Sequence, residues 1–389
     1  MRKALSALVG AVLAGVAATP VHAQTIRAQQ WHLDAMKADD VWRTSTGQGV
    51  TVAVIDSGVE RIPELEGQVL PGKDFAVEQG AYSGDERTDY DKHGTTMAAL
   101  IAGSGRHPSG DGAFGLAPGA KILPIRVPHE YSTTSPSWTA AIRYAADSDA
   151  EIINVSMVTS ADDPDRGDAV KYALSKGKLI FASVGNDGDT TNQVLYPAAT
   201  PGVVGVGAVD QDGAAAKLSQ HGPQVDMSAP GLDLVTACAR ETGLCTSSGT
   251  SDATALASAS AALLWSAHPT WTNNQILRVL LNTAGKPVDG AQRNDYIGYG
   301  VVRPRIALPT PGDPGPPDVY PLPDLAAAAA APVPPPGGKT TPPHAPQAAA
   351  PVDKGDGSAD PPWTALGLGL AASLLIGGAV TAVRRARRR

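Results

Sequence analysis

Gly249-Thr250-Ser251-Asp252-Ala253-Thr254-Ala255 leads into a run, residues 253–267, that holds neither glycine nor proline and is dominated by alanine and leucine. That composition predicts a buried helix. The residues before it, Thr246-Ser247-Ser248, are loop-like. A serine at the mouth of such a helix has two readings. Its hydroxyl can cap a free backbone N–H. Alternatively, its Oγ and N–H face a cleft, where the helix dipole favours a developing oxyanion. Taken alone the segment favours the cap, and three upstream stretches reverse that balance.

The first is Val50-Thr51-Val52-Ala53-Val54-Ile55, a β-branched run too apolar to be half exposed, which predicts a central strand ending at Asp56-Ser57-Gly58. An acid at the carboxyl end of a buried parallel strand lies where open α/β sheets carry their sites, although a strand-ending turn Asp is an equal reading. The second is His93-Gly94-Thr95, which opens a helix closed by Gly103 and Gly105. Of the eight histidines, His93 alone opens a glycine-containing apolar helix, and Gly94 lets another backbone or ligand come close. A surface histidine near a cap is the plainer alternative. The third is Val184-Gly185-Asn186, a loop at another strand's carboxyl end, where Asn186 alone reads as a turn residue.

Between these stretches the pattern alternates. Strands are predicted at 121–127, 151–155, 178–183, 203–209 and 225–227, with helices at 137–147, 165–176 and 272–283 and a closing strand segment with glycine turns at 295–302. The fold class is therefore α/β: a mostly parallel central sheet with helices on both faces.

Acid, imidazole and serine in that chain order, with Asn186 between the last two, resemble the subtilisin-like serine proteases (subtilases, peptidase family S8) over about residues 50–281. His93-Gly94-Thr95 with its Met97-Ala98 and Ile101-Ala102-Gly103 continuation is the most specific of the four motifs. The resemblance implies a serine-type endopeptidase that needs no cofactor. Ser251 would be its nucleophile and His93 the base that takes the serine proton and passes it to the leaving amine. Asp56 would hold the imidazole's tautomer, and Asn186 would donate to the oxyanion together with the Ser251 N–H. It also implies substrate binding along Ser156, Met157 and Val158. An α/β-hydrolase fails on order, because that class runs serine, acid, histidine around a Gly-x-Ser-x-Gly elbow. A non-catalytic scaffold of the same fold is the alternative that the four motifs disfavour.

The sequence departs from the family in three places. Ala255 stands where proline usually follows the serine motif. Val158 replaces a glycine of the substrate-binding strand, which narrows the approach of a peptide. Residues 24–49 leave no room for the inhibitory pro-domain of many secreted relatives, so selectivity is expected to limit activity in its place.

The ends of the chain give an address. Arg2 and Lys3, an apolar run over 4–18 and Val21-His22-Ala23 read as a secretory signal peptide, residues 1–23. A lead, 24–49, has helical spacing over 31–42 and is expected to lie against the surface of a peptidase domain, 50–303. Residues 304–362 hold more than half of the chain's 33 prolines and an alanine run, which predicts an extended stalk. Residues 363–383 are apolar and uncharged, long enough for a transmembrane helix, and 384–389 form a basic tail. The arginines place the tail in the cytoplasm and the globular part outside a plasma membrane crossed once.

The formal charge of −7, lowered in magnitude by that tail, argues against nucleic acid and leaves a protein or peptide as substrate. In an oxidising compartment the only two cysteines, Cys238 and Cys245, are expected to form a short-loop disulfide. Two acidic groups, Asp85/Glu86/Asp89/Asp91 and Asp162/Asp163/Asp165, lack an EF-hand pattern and read as surface loops in preference to a structural calcium site, so no metal is assigned. This layout resembles the mycosins, anchored subtilases associated with type VII secretion, and implies components of that apparatus as partners.

Overall fold

The structure, a computed structural model, describes residues 24–76, 83–129, 136–240 and 243–330. The expected signal peptide, the transmembrane segment 363–383, the basic tail and most of the expected stalk lie outside these residues. Among the described residues no helix is long and apolar enough to cross a membrane.

Three short helices come first, α1 (Ile26–Gln29), α2 (Trp31–Ala35) and α3 (Ala38–Val41). The body then runs β1 (Thr51–Asp56), β2 (Lys73–Asp74), α4 (His93–Ala102), β3 (Lys121–Arg126), α5 (Pro136–Asp147), β4 (Ile152–Val155), α6 (Pro164–Ser175), β5 (Leu179–Ser183), β6 (Val204–Val209) and β7 (Met227–Pro230). A hairpin, β8 (Leu234–Ala237) and β9 (Leu244–Ser247), precedes α7 (Thr250–Ala267) and α8 (Asn273–Thr283), and α9 (Pro304–Ala307) and α10 (Asp324–Ala330) end the described chain.

Strands β2-β3-β1-β4-β5-β6-β7 form one sheet in that order, and every neighbouring pair in it is parallel. The expected architecture is thus the observed one. Alternation of side chains along each buried strand builds two cores, one per face. Val52 and Val54 of β1 and Leu179 and Phe181 of β5 join the core containing α4, α7 and α8. Ala53 and Ile55, with Ile180 and Ala182, join the opposite core with α5 and α6.

Helix α7 is buried continuously from Thr250 to Trp265. Alanines let it approach the sheet closely, and its hydroxyls are satisfied without water. Thr254 donates to the Thr250 carbonyl and Ser260 to the Leu256 carbonyl, each at 2.7 Å, while Ser258 donates to Asn154 Oδ1 at 3.0 Å. A buried polar group left unpaired would cost roughly 1–3 kcal/mol, so these bonds are what permits serine and threonine inside the core.

Four expectations need correction. The lead does not merely lie on the surface. Leu33, Met36, Ala38 and Val41 belong to the larger core, and Gln30 is fully buried, its amide donating to the Phe114 carbonyl and accepting the Phe114 N–H. His32 is buried beside them, and burial, aided by the charge of Arg27, lowers its pKa to about 3, so it is a neutral core residue. The strand expected at 225–227 begins at Met227 and runs to Pro230. The segment 295–302 has the expected glycine turns but forms no strand; its end runs beside β7, where Val301 is bridged to Ser228, the Ser228 N–H donates to the Gly300 carbonyl and the Val302 N–H to the Ser228 carbonyl.

The fourth correction is the domain's end. Residues 304–330, expected in the stalk, fold back onto the domain. Leu308 and Leu322 are buried in the larger core. Proline removes donors from a chain but leaves every carbonyl as an acceptor. Polar side chains of α8 and its cap supply the missing donors. Arg278 Nη1 donates to the Pro314 carbonyl at 2.6 Å and the Pro316 carbonyl at 3.0 Å, and Nη2 to that of Val319. Gln275 donates to Gly315, and Thr272 and Asn274 to Pro317, each at 2.9 Å. Farther on, Asp324 accepts the Gly202 N–H at 2.5 Å. The alanine run after it is helical in α10.

Arg278→Ala removes three of these donors at once. It is expected to lower stability by about 1–3 kcal/mol and to expose residues 309–323 to limited proteolysis. Unchanged melting and an unchanged cleavage pattern would show that the proline-rich return is held by its apolar contacts alone.

Candidate active site

The side chains singled out from the sequence leave the sheet at one edge. Asp56 ends β1, Ser156 follows β4, and Asn186 lies just beyond β5. Parallel strands point all their carboxyl ends the same way, so residues far apart in the chain gather there. Helix α4 enters over this edge with His93 as its first residue. A methyl group built on Gly94 would lie 2.2 Å from the Gly58 carbonyl oxygen and 3.0 Å from Asp56 Cβ, so only glycine lets the helix close on the strand end.

His93 Nδ1 is 2.8 Å from Asp56 Oδ1. The Asp56 side chain is 1% exposed and that of His93 31% exposed, so the pair is closed on the acid's side and open on the imidazole's. Asp56 Oδ1 also accepts the Ser57 N–H at 2.7 Å, and the Ser57 hydroxyl oxygen lies 3.1 Å away. These bonds fix the carboxylate, and the carboxylate in turn makes Nδ1 the protonated nitrogen of a neutral ring, which leaves Nε2 as the lone pair. Burial by itself pushes the imidazole pKa down. The carboxylates outweigh it, Asp56 by charge and hydrogen bond, then Asp252 and Asp89 by charge, and raise it to about 9.

Asp89 had been expected in an acidic surface loop, but it is buried at 7% exposure. Its Oδ1 accepts the Ser57 hydroxyl and the Lys92 N–H at 2.7 Å each and the Asp91 N–H at 3.2 Å. Its Oδ2 accepts the Thr95 N–H at 2.8 Å and the Thr95 hydroxyl at 2.5 Å. It thereby holds Lys92 in the left-handed conformation (φ 65°) that turns the chain into α4 and aims His93. Burial raises the Asp89 pKa against these hydrogen bonds. The sequence signal was present: an acid four residues ahead of the histidine, with a threonine two residues after it.

Ser251 does not cap its helix. The N-cap is Gly249, without a side-chain cap bond, and Ser251 is the second helical residue. Its Oγ donates to the Ser156 carbonyl at 2.9 Å, while the Ser156 hydroxyl donates to the Ser251 carbonyl at 3.2 Å. Asn154 Nδ2 donates to the Ser156 hydroxyl at 3.0 Å. With the Ser258–Asn154 bond, this ladder ties the start of α7 to the end of β4. Of the expected substrate-binding residues, Ser156 thus meets Ser251 directly. Met157 packs into the smaller-helix core with α5 and α6, and Val158 is partly exposed.

Asn186 is exposed, and Thr250 orients it. Asn186 Oδ1 accepts the Thr250 N–H and the Thr250 hydroxyl, both at 2.9 Å, and the same hydroxyl accepts the Gly185 N–H at 3.2 Å. With Oδ1 engaged twice, Nδ2 is the group turned outward, 3.2 Å from a methyl built on Gly249. Thr250 escaped the sequence reading, which took it as part of a motif without a task of its own.

Cys238 and Cys245 are joined across the β8–β9 hairpin. Among the described residues no group of three or more His, Cys, Asp or Glu is arranged to hold a metal ion. Other acids of the two sequence clusters serve the backbone: Asp85 accepts the Arg87 N–H, and Asp163 caps α6 through the Asp165 N–H.

Comparison with known proteins agrees with this geometry. The family model described as the subtilase family matches residues 47–300. The chain is 38% identical over 198 residues to a thermophilic serine proteinase of Bacillus sp. (strain AK1), spanning 50% of the chain but only 47% of that protein. It is 31% identical over 333 residues to Mycosin-1 of Mycolicibacterium smegmatis (strain ATCC 700084 / mc(2)155), covering 72% of each. A crystal structure of MycP1 from the ESX-1 type VII secretion system superposes with a TM-score of 0.64 at 29% identity, covering 77% of this chain and 90% of that one. The chain therefore belongs to the subtilase family, as a mycosin-like serine-type endopeptidase.

Proposed function

We propose that Asp56, His93 and Ser251 act as a catalytic triad that cleaves peptide bonds through an acyl-enzyme. The observation that carries this reading is the 2.8 Å bond between Asp56 and His93 Nδ1 at the sheet edge where the first turn of α7 carries Ser251. Rotation of the Ser251 side chain releases its Oγ from the Ser156 carbonyl and turns it toward His93 Nε2. As Oγ attacks the substrate carbonyl carbon, its proton passes to Nε2, and Asp56 stabilises the imidazolium. The carbonyl oxygen becomes an oxyanion that accepts from Asn186 Nδ2 and the Ser251 N–H, an unpaired first-turn donor of α7. Collapse breaks the C–N bond, and the imidazolium gives its proton to the leaving amine. Water, deprotonated by the same nitrogen, then frees the acid and restores Ser251. Thr250 holds Asn186 in register throughout.

The remaining parts of the reading are an address and a partner. Residues 1–23 direct export, 363–383 anchor the chain with the peptidase outside, and the substrate is a protein of a type VII secretion system. Its support is the run of arginines behind an apolar segment and the likeness to Mycosin-1 and to a MycP1 from such a system.

A fluorophosphonate probe is expected to label the wild-type chain on one serine and to spare Ser251→Ala, as read by intact mass. Asn186→Ala is expected to fold and to lose about 10²–10³-fold in rate, the range found when such a donor is removed from a subtilisin. Labelling that survives Ser251→Ala would overturn the triad. Asp56→Asn is expected to lower the His93 pKa by about 1–3 units, read from imidazole NMR titration. The linkage has a definite sign. A histidine raised from 6.5 to about 9 contributes stability that is full below pH 6.5 and lost as pH rises through 9. Wild type should therefore lose more stability than Asp56→Asn across that window.

A further inference from the structure

Beside the start of α4 a cleft of about 460 Å³ opens between two walls. One wall is residues 60–63, fixed to the first turn of α4 because the Glu60 N–H donates to Thr95 Oγ1 at 2.9 Å. The other is the turn of the β8–β9 hairpin, where the Gly243 N–H donates to the Arg240 carbonyl at 2.8 Å. Ile62 and Leu244 pack against Ala99, Ala113 and Ala237 and so join the two walls by apolar contact. Lys92 stands before the first residue of α4 and His107 beyond its last, so the cleft follows that helix away from His93. His107 Nε2 lies 3.7 Å from a methyl built on Gly243, which brings the hairpin turn against the far end.

The fixed charges on its described lining are Arg61, Lys92 and Arg240 against Glu60, all of them exposed. None of the three cations enters an ion pair among the described residues. A second cleft, of about 440 Å³, shares Arg61, Ile62 and Pro63 with the first and adds Arg87 and Glu66. Arg87 Nε is buried without a hydrogen-bond partner. A guanidinium nitrogen left without an acceptor is costly, and a carboxylate brought to it removes that cost. In a chain of formal charge −7, four arginine and lysine side chains thus gather against two acids along one groove. A concave surface of one sign focuses its field on an oppositely charged ligand.

We propose that this cationic groove receives acidic residues of the substrate on the leaving-group side of the bond that is cut, with Arg61 and Arg240 setting the preference. The inference deepens the triad reading and rests on it. In that reading the acyl carbonyl sits at Asn186 Nδ2 and the Ser251 N–H, while the leaving amine sits at His93 Nε2, which protonates it. The chain beyond the amine therefore runs out past His93, and Lys92, the residue before His93, lies on the rim of the groove. Two walls facing each other suit an extended peptide, whose carboxylates reach cations on both sides. A flat anionic surface such as a bilayer would meet only the outermost of them. Each exposed pair contributes little by itself, so selectivity comes from several in register, and the same charges speed the encounter.

The test digests a synthetic peptide library with the full-length chain and reads, by mass spectrometry, the residues that follow each cut. Wild type is expected to prefer Asp and Glu there over Asn and Gln by about tenfold. Most of that preference is expected to vanish between about 0.1 M and about 1 M salt. In Arg61→Gln/Arg240→Gln the ratio is expected to fall toward unity, and in Arg61→Glu/Arg240→Glu to turn toward Lys and Arg. Because the readout is a ratio within one digest, an overall loss of rate does not mimic it. Where charge reversal prevents folding, the glutamine pair carries the test. Binding of a fluorescein-labelled oligoglutamate to Ser251→Ala, read by anisotropy, needs no cleavage. It is expected to weaken about tenfold when Arg61→Gln/Arg240→Gln is added. Cuts without an acidic preference, or a preference unmoved in the folded variants, would overturn the groove's role and leave the triad standing. Binding that depends on Arg61 and Arg240 without any cleavage or fluorophosphonate labelling would overturn the triad and leave an acidic-peptide site. Oligoglutamate that does not bind would overturn the proposal, and phosphatidylglycerol vesicles that bind through the same arginines would replace the peptide with an anionic lipid surface.

Discussion

The structure depends on one helix that can lie almost without clearance against a parallel sheet. Between Thr250 and Trp265 every residue of α7 is buried, and most are alanine, serine or threonine, so its axis comes close to β4–β7. Close approach alone leaves rotation and sliding open. The bonds from Ser258 to Asn154, from Asn154 to Ser156, and between Ser156 and the Ser251 carbonyl remove both freedoms. Ser251 is thereby located by the core of the domain, not by a loop, and its precision is inherited from packing.

The electrostatic environment is built the opposite way from an ordinary ion pair. One imidazole is surrounded by Asp56, Asp89 and Asp252, and only Asp56 bonds to it. Asp89 is saturated by backbone and hydroxyl donors, and its charge still acts on His93. Asp56 is held by Ser57, which Asp89 also holds. A change at Asp89 would therefore reach His93 by three routes: its charge, the turn at Lys92 and the contact through Ser57.

Much of this was legible in the sequence because the strongest signals are also the most buried. The apolar run ending at Asp56, the glycine-closed helix behind His93 and the alanine-rich run behind Ser251 each have one sensible structural reading. The failures share a cause: composition describes what a segment offers and not what its neighbours supply. The proline-rich stretch after residue 304 seemed unable to pack because it lacks donors, yet Arg278, Gln275, Asn274 and Thr272 bring donors to it. Asp89 looked solvated because it sits among other acids, and only the fold shows five hydrogen bonds converging on it. The lead was read as peripheral because Leu33, Met36, Ala38 and Val41 are spread over short helices too brief to show a period. In 295–302 the expected glycine turns form at Gly298 and Gly300, which adopt positive φ, and they leave the stretch too broken to add more than a bridge to β7.

The returning segment also decides where the rest of the polypeptide departs. Asp324 is bonded to Gly202, just ahead of the first residue of β6, at the amino end of the sheet. Asp56, Asn186 and the proposed nucleophile Ser251 stand at the carboxyl ends, across the full length of the strands. A pull applied after residue 330 therefore enters through α10 and the amino end of β6, and the bearing surface it loads is not the one that carries Ser251.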